Sequence, residues 1–166
     1  MRVAPGDNLL FHKALDILQP GDVLVVDGQG ELNHSLCGEI MVRYAMSKDC
    51  AGFVIDGAVR DSGAIREVAF PVYARGVSPM GPYKNGPGEI NVPIACGGAM
   101  VKPGFIVVGD DDGVVFIDPA DAQEVIAKTQ VLQANEVKTF AAIKAGAVDR
   151  SWVDKALKEK GCEVIG

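Results

Sequence analysis

The chain has 166 residues, of which 48% are hydrophobic and 23% charged, with a formal net charge of −6. This composition predicts a globular domain with a real core and excludes a disordered chain, and the scattered acidic residues without a Lys/Arg stripe argue against nucleic acid as a ligand. The four cysteines form no C-x-x-C pair, and neither a signal peptide nor a membrane-spanning apolar run is present, so we expect a soluble cytoplasmic protein with reduced thiols and no membrane partner.

Pro and Gly residues divide the first half of the chain into alternating short elements. The predicted order is a helix over residues 9–18, a strand over 23–26, a helix over 38–48, a strand over 52–56, a short helix ending near 67, and a strand over 71–74. Residues 1–3 also have the pattern of a strand. Strands that alternate with helices favour a parallel arrangement with crossover connections.

The second half of the chain follows a different pattern. After the Gly/Pro-rich segment SPMGPYKNGPG, the predicted elements are a strand at 90–94, strands at 105–108 and 114–117, a long helix over 119–144, and a short helix over 152–158. The run GDDDG between two of these strands predicts a hairpin turn rather than a calcium loop. We find no repeat or linker, and therefore predict one mixed α/β domain over residues 1–166.

The segment VIDGAVRD, residues 54–61, is the strongest candidate for chemistry. A buried strand is predicted to end at Asp56. Gly57 turns the chain there, and Arg60 and Asp61 follow a few residues later. Ligands of α/β proteins collect at the carboxyl ends of strands. A guanidinium binds a carboxylate in bidentate fashion, and a carboxylate holds a hard cation. The alternative interpretation is a surface ion pair in which Asp61 caps a helix.

Two further carboxylates attract attention. Glu39 lies in Gly38–Met41, at the predicted start of a helix where free N–H groups attract anions, and it is either an acid/base group or a favourable charge at the helix dipole. Glu136 falls within a mostly apolar stripe of the long helix. It faces either an active site, such as that of a neighbouring subunit, or the solvent edge of the stripe.

Familiar cofactor motifs are incomplete. The run DGQGELN lacks the third glycine of a dinucleotide-binding turn, because that position is Asn33. No Walker A sequence is present, and with two histidines a histidine-rich metal site is not expected. The sequence therefore gives little support for a methyltransferase function.

Several segments resemble the family that contains the regulator of ribonuclease activity A and the class II 4-hydroxy-4-methyl-2-oxoglutarate aldolases. The matching segments are PGDNLLFHKALD (5–16), PGDVLVVDG (20–28), GEIM (38–41), AGFVIDGAVRD (51–61), FPVYARG (70–76), GPGEINVP (86–93), VGDDDGVV (108–115) and DRSWVDKAL (149–157). The resemblance covers nearly the whole chain in order and spacing.

This resemblance implies a swivelling β/β/α sandwich with a mixed sheet and a long C-terminal helix, assembled as a homotrimer or a dimer of trimers. It also implies a lyase that uses Mg²⁺ or Mn²⁺, cleaves a 4-hydroxy-2-oxo acid to release pyruvate, and decarboxylates oxaloacetate.

The resemblance also implies roles for individual residues. Asp61 would hold the metal, and Arg60 would bind the 2-oxo acid. Gly38 and the amides of Ile40 and Met41 would receive its carboxylate. Glu39 would act as acid/base through a bound water, and Glu136 would come from an adjacent subunit.

Two departures from the family pattern support an alternative function. The acidic residue expected three positions after Asp61 is Ala64, which removes an outer acceptor around the metal. The chain also begins inside a predicted strand, as if part of the family's usual N-terminal segment were missing. The alternative is a non-catalytic, protein-binding regulator of a ribonuclease.

Overall fold

The computed structural model describes residues 1–162. The chain divides into two compact units, one spanning Met1–Pro119 and the other beginning at Ala120. The elements of the first unit are β1 (Arg2–Val3), α1 (Leu9–Ile17), β2 (Val23–Cys37), α2 (Glu39–Met46), β3 (Gly52–Val59), α3 (Ser62–Arg66), β4 (Val72–Val77), β5 (Gly88–Glu89), β6 (Ile94–Cys96), β7 (Ala99–Val101), β8 (Ile106–Asp110) and β9 (Gly113–Ile117). A short 3-10 helix, Pro119–Asp121, precedes the helices α4 (Ala122–Lys144) and α5 (Ser151–Glu159).

A five-stranded mixed sheet forms the centre of the first unit, in the order β4-β3-β2-β1-β5. The strands β1 to β4 are parallel, and β5 pairs with β1 in the antiparallel direction. The crossovers through α2 and α3 agree with the alternation predicted from the sequence. Both ends of β2 and β3 are therefore fixed relative to each other, which matters because the candidate site follows β3.

Each face of the sheet buries a separate apolar cluster. On one face, α1, α2 and α3 cover a core that includes Phe11, Leu15, Val42 and Phe53, and Phe53 packs edge-on against Phe11 with ring centroids 5.2 Å apart. On the other face, the hairpins β6–β7 and β8–β9 pack on Val54 and its neighbours. The result is a β/β/α sandwich, which confirms the fold class predicted from the sequence.

Three strand predictions were wrong in their boundaries. The strand predicted to end at Asp56 continues to Val59 as β3. β2 continues to Cys37 and includes residues 27–35, which were predicted as a loop, because three irregularities in its pairing with β3 absorb the extra residues. Gln29 and Gly30 adopt left-handed conformations at φ 57° and 69° there. Of the predicted strand at 90–94 only Ile94 lies in a strand, because residues 90–93 form a bend between β5 and β6 in which Asn91 adopts φ 55°. The hairpin turn at Asp110 is confirmed, with its carboxylate accepting the N–H of Asp112 at 2.9 Å.

A row of charged side chains crosses the sheet on its hairpin face. Arg2 is in register with Asp27 on one side and with Glu89 on the other, and Asp27 is in register with Asp56. Arg2 contacts Asp27 at 3.4 Å and Glu89 at 3.0 Å, while Arg75 pairs with Asp56. Asp27 and Asp56 are buried. One charged residue from each of the five strands thus contributes to a single row.

The second unit consists of helices, as predicted for this part of the chain. The 23-residue helix α4 has no buried residue, and its large exposed side chains include Leu132, Val137, Phe140 and Ile143. Residues 163–166, at the very end of the single domain predicted over 1–166, lie outside the described residues. No helix within residues 1–162 is long and apolar enough to cross a membrane.

Candidate active site

Arg60 and Asp61 lie immediately after β3, whose eight residues are all buried. The amide of Arg60 donates to the carbonyl oxygen of Cys37 at 2.9 Å, which ties the end of β3 to the end of β2. Asp61 then adopts a left-handed backbone conformation, φ 57° and ψ 31°, and serves as the N-cap residue of α3. Such a conformation is uncommon for a residue with a side chain and turns the chain sharply at the sheet edge.

The carboxylate of Asp61 joins two helix starts. One oxygen, Oδ2, accepts the amide N–H of Glu39 at 3.0 Å and lies 3.7 Å from Nε of Arg60. The other oxygen has no hydrogen-bond partner within residues 1–162. The side chains of Arg60 and Asp61 are each 43% exposed, so both can reach a ligand from solvent.

Gly38 allows these groups to approach one another. A Cβ atom at Gly38 would lie 2.5 Å from Oδ2 of Asp61 and 2.9 Å from Cγ of Arg60. Its backbone is extended, at φ −147°, so glycine is needed here for space rather than for conformation. The start of α2 therefore sits directly against the Arg60–Asp61 pair.

The first turn of α2 offers one free backbone donor. The amide of Glu39 is used by Asp61, and that of Met41 donates to the carbonyl oxygen of Gly38 at 3.1 Å. The amide of Ile40 has no acceptor in the described part of the chain, and the Ile40 side chain is 81% exposed. Of the two amides that were expected to bind a carboxylate, Ile40 is free and Met41 is already engaged.

Glu39 is held on the surface of α2 by a neighbour one turn away. Its Oε1 accepts Nε–H of Arg43 at 2.7 Å. Because Glu39 lies next to Gly38, its backbone touches the site while its side chain is oriented by this ion pair. The alternative of a favourable charge at the helix start is also satisfied, since Glu39 is the acidic residue of the first turn.

A cavity of about 390 Å³ opens at the same edge of the sheet, and its wall includes Arg60, Asp61, Ser62, Val77, Ser78 and Pro79. The Ser78 amide donates to the Val59 carbonyl at 2.9 Å, which aligns the end of β4 with the end of β3. A larger cavity of about 570 Å³ lies at the opposite, amino-terminal edge of the strands. The larger cavity contains neither Arg60 nor Asp61 in its lining, whereas both line the smaller cavity, which we take as the candidate site.

The nearby thiol of Cys37 is not a candidate nucleophile. It is buried, and burial raises its pKa to about 12, while a hydrogen bond with the backbone of Gly38 opposes this rise. The thiol is therefore protonated at neutral pH and unreactive. The candidate reactive groups of the site are therefore the charged side chains of Arg60 and Asp61.

Glu136 lies in α4, within the second unit, and its side chain is exposed. The apolar side chains of the same stripe are exposed as well. A role for Glu136 in the site stays a prediction.

The sequence analysis did not predict Ser78, Pro79 and Gly81 as site residues. All three lie in a Gly/Pro-rich segment that was interpreted only as a loop. Because functional residues often lie on loops, this composition was the one sequence signal that could have indicated them.

The residues at this edge fit a magnesium or manganese ion better than zinc, which requires more protein ligands. No group of three His, Cys, Asp or Glu side chains is close enough to hold a metal ion among residues 1–162. Asp61 supplies a carboxylate with one oxygen that has no hydrogen-bond partner among the described residues. Mg²⁺ keeps several waters and is commonly bound by one or two carboxylates plus the substrate, so a single aspartate suits it, whereas zinc would need more protein ligands.

Comparison with known proteins places the chain in a family. A family model described as RraA-like, Aldolase/RraA, matches residues 1–116, and the chain belongs to this family. The matched region ends within the first unit, so it contains the Arg60–Asp61 edge and the strands that build it.

Individual relatives carry different names. A protein of Halalkalibacterium halodurans named "Putative 4-hydroxy-4-methyl-2-oxoglutarate aldolase" is 37% identical over 158 residues, which cover 95% of this chain and 75% of the relative. The RNA-processing inhibitor RraA from Thermus thermophilis is 38% identical with a TM-score of 0.66, covering 70% of this chain and 71% of that one. The S-adenosylmethionine: 2-dimethylmenaquinone methyltransferase from Geobacillus kaustophilus is 37% identical with a TM-score of 0.67, covering 72% and 76%.

Proposed function

We propose that the chain is a divalent-metal-dependent lyase that cleaves a carbon–carbon bond of a 4-hydroxy-2-oxo acid of the 4-hydroxy-4-methyl-2-oxoglutarate type and releases pyruvate. The observation that supports it best is the Arg60–Asp61 pair, packed against Gly38 beside the free amide of Ile40. The 37% identity with the Halalkalibacterium protein agrees with a lyase of this family. Oxaloacetate is proposed as a second substrate, because loss of its carboxyl group also leaves the enolate of pyruvate.

The substrate is bound through its anionic end. Arg60 donates to the 2-oxo acid carboxylate from one side, since a guanidinium matches a carboxylate in bidentate geometry. The amide of Ile40 donates from the other side, at the positive end of α2. These two donors are on separate elements, and Gly38 keeps them close together.

Asp61 is the proposed holder of Mg²⁺ or Mn²⁺. A divalent ion there supplies electrophilic stabilisation of the negative charge that develops on the 2-oxo group when the bond breaks. Asp61 itself stays anchored by the Glu39 amide, so its free oxygen is presented in a fixed direction.

Glu39 is the proposed acid/base residue, and it belongs to the same subunit as Arg60. Its carboxylate accepts, through water, the proton that leaves the 4-hydroxyl group as the carbonyl product forms. Arg43, at 2.7 Å, holds this carboxylate on the surface of α2, the helix that begins next to Gly38. Glu136 is proposed to complete the site from a neighbouring subunit of a homotrimer, or of a pair of trimers, in which the exposed apolar side chains of α4 are covered.

The deciding measurement is pyruvate release from 4-hydroxy-4-methyl-2-oxoglutarate and from oxaloacetate, with magnesium, with manganese and with chelator. We expect release that depends on the ion, and the faster substrate indicates the physiological class. A folded, metal-supplied protein that releases no pyruvate from either acid would contradict the proposal.

Subunit sharing predicts complementation between two inactive variants. Trimers that mix Asp61→Asn and Glu136→Gln chains should regain activity, because about a quarter of the randomly assembled sites combine an intact Asp61 chain with an intact Glu136 from its neighbour. Activity of the co-refolded mixture is the measurement. A mixture of Asp61→Asn with Arg60→Ala is the control and should stay inactive, since both changes fall in the same chain's half of the site. Mixed trimers without recovery would remove Glu136 from the mechanism.

The second candidate function is a protein-binding regulator of a ribonuclease without catalysis. The 38% identity with the inhibitor from Thermus favours it, as does Ala64 in place of a family carboxylate. A regulator acts through its surface, so substitution of Arg60 or Asp61 should leave its binding unchanged. Inhibition of a ribonuclease E-type enzyme by both the native chain and Asp61→Asn, together with no pyruvate release, would establish this function instead.

A further inference from the structure

Residues 78–86, here called the strap, begin at the wall of the candidate site. Its residues Ser78 and Pro79 line the cavity beside Arg60. A Cβ atom at Gly81 would lie 3.5 Å from Nη1 of Arg60, so the guanidinium rests against the strap. Gly38 confines the same side chain from the other direction, where a Cβ would lie 3.0 Å from Nε. The strap and the start of α2 together determine where the guanidinium can be.

The first half of the strap is fastened to β2. The Ser78 hydroxyl donates to the carbonyl oxygen of Asn33. Ser35 donates to the carbonyl oxygen of Met80 through both its amide, at 2.8 Å, and its hydroxyl, at 2.9 Å. Ser35 is buried, so these bonds are shielded from water.

The second half is fastened by one buried carboxylate, that of Asp7. Its Oδ2 accepts the amide N–H groups of Asn85 and Gly86, the latter at 3.0 Å, and its Oδ1 accepts the N–H of Leu9 at 2.9 Å. Asp7 is only 3% exposed. Burial acts to raise its pKa, but the three N–H donors and the nearby Lys84 outweigh burial and lower the pKa overall. The carboxylate is therefore ionised at neutral pH and suited to holding backbone donors.

Backbone pairing next to Asp7 reinforces the attachment. The Tyr83 amide donates to the carbonyl oxygen of Gly6 at 2.8 Å, and the Asn8 amide donates to that of Tyr83 at 3.0 Å. Between Met80 and Tyr83, Gly81 is carried without any hydrogen bond of its own to the sheet among the described residues. The position of Gly81 thus depends on the fastenings on its two sides, and Asp7 is the side chain that accepts two backbone N–H groups of the strap on the far side.

We propose that Asp7 is a positioning residue of the active site: by fastening the strap at Asn85 and Gly86, it holds Gly81 against the Arg60 guanidinium and so sets the geometry in which Arg60 receives the substrate carboxylate. The effect on substrate rests on the proposed function, whereas the effect on Arg60 does not. Asp7 does not touch the substrate and acts only through the strap.

The test is a double-mutant cycle between Asp7→Asn and Arg60→Ala. Asparagine has one acceptor oxygen and turns an NH₂ group toward the N–H donors on its other side, so it cannot hold both the Leu9 amide and the strap amides. In the native background, Asp7→Asn should raise the KM for oxaloacetate by about ten- to a hundredfold while kcat changes much less. In the Arg60→Ala background, the same substitution should change KM by less than about twofold. Equal effects in both backgrounds would overturn the proposal, because a merely structural role acts independently of Arg60.

Asp110→Asn is the matched control. Asp110 also accepts two backbone N–H groups, from Asp112 at 2.9 Å and Gly113 at 3.3 Å, but in the β8–β9 turn. This variant should keep the native KM.

A second readout separates this proposal from the function itself. The Nε–H resonance of Arg60 in a ¹⁵N spectrum, identified by its loss in Arg60→Lys, should shift in Asp7→Asn and stay in place in Asp110→Asn. If the native protein releases no pyruvate, the proposed function fails, and this resonance alone decides the role of Asp7. An unmoved resonance in a folded Asp7→Asn protein overturns it.

Discussion

Replacing Asp61 by asparagine is expected to abolish metal-dependent pyruvate release without disturbing the fold. Asparagine keeps a side-chain oxygen that can accept the Glu39 amide now bound at 3.0 Å. It also tolerates the left-handed backbone of this position, φ 57° and ψ 31°, better than alanine does. What it lacks is the negative charge that holds a divalent cation.

Loss of the ion should lower kcat/KM by about a thousandfold, because the electrophilic stabilisation it supplies is worth several kcal/mol. The measurement is pyruvate release at saturating magnesium, with Mn²⁺ binding followed in parallel by electron paramagnetic resonance. Asp22→Asn is the matched control, since Asp22 accepts a single backbone N–H, from Gln19 at 2.9 Å, at the other edge of the sheet. An Asp61→Asn protein that retains full metal-dependent activity would show that another group holds the ion.

Replacing Gly38 by alanine is expected to damage the site as severely as removing one of its charged groups. The new methyl group would lie 2.5 Å from the Asp61 carboxylate and 2.9 Å from Cγ of Arg60, distances at which something must move. Either the Arg60–Asp61 pair is displaced or the start of α2 withdraws and takes the Ile40 amide with it. A displacement of about 1 Å in such a site costs about a hundredfold in rate.

The control for this substitution is Gly63→Ala, at the second residue of the neighbouring helix α3. A Cβ atom at Gly63 meets nothing within 4 Å. That change should leave kcat/KM unaltered and raise stability by about 0.5–1 kcal/mol, since alanine is the better helix former. Thermal unfolding and kinetics of the two variants should be measured together. Native activity in Gly38→Ala would mean that the close approach is not part of the working site.

The local patterns were sufficient to predict the elements around Arg60 and Asp61. The apolar run of β3 and the Pro/Gly boundaries of α1 and α2 are signals of short range, and the structure has these elements nearly where they were predicted. The identity of the two charged residues after β3 also follows from their order in the chain. Their chemistry as a pair stays a prediction.

What the sequence does not carry is the pairing between distant segments. The polar residues 27–35 look like a loop because their apolar alternation is broken, yet pairing of Asp27, Glu31 and Ser35 with β3 keeps the segment in the sheet. The contact of Gly81 with Arg60 depends on Asp7, more than seventy residues earlier, and no local pattern links such positions. Glu136 illustrates the same limit, since a stripe on one helix does not say what covers it.

The row of charges across the sheet defines which strand alignments the chain can adopt. A slip of any one strand by a single residue would turn its charged side chain to the opposite face, into the apolar layer under α1 and α2. An unpaired charge there is far more costly than the modest gain from any one ion pair. The row of charges therefore contributes more to the specificity of the strand register than to stability. It disfavours sheets in which one strand is misaligned. In the remaining register, Arg60 and Asp61 lie at the edge of the sheet, directly after β3. The row consists of Arg2, Asp27, Asp56, Arg75 and Glu89.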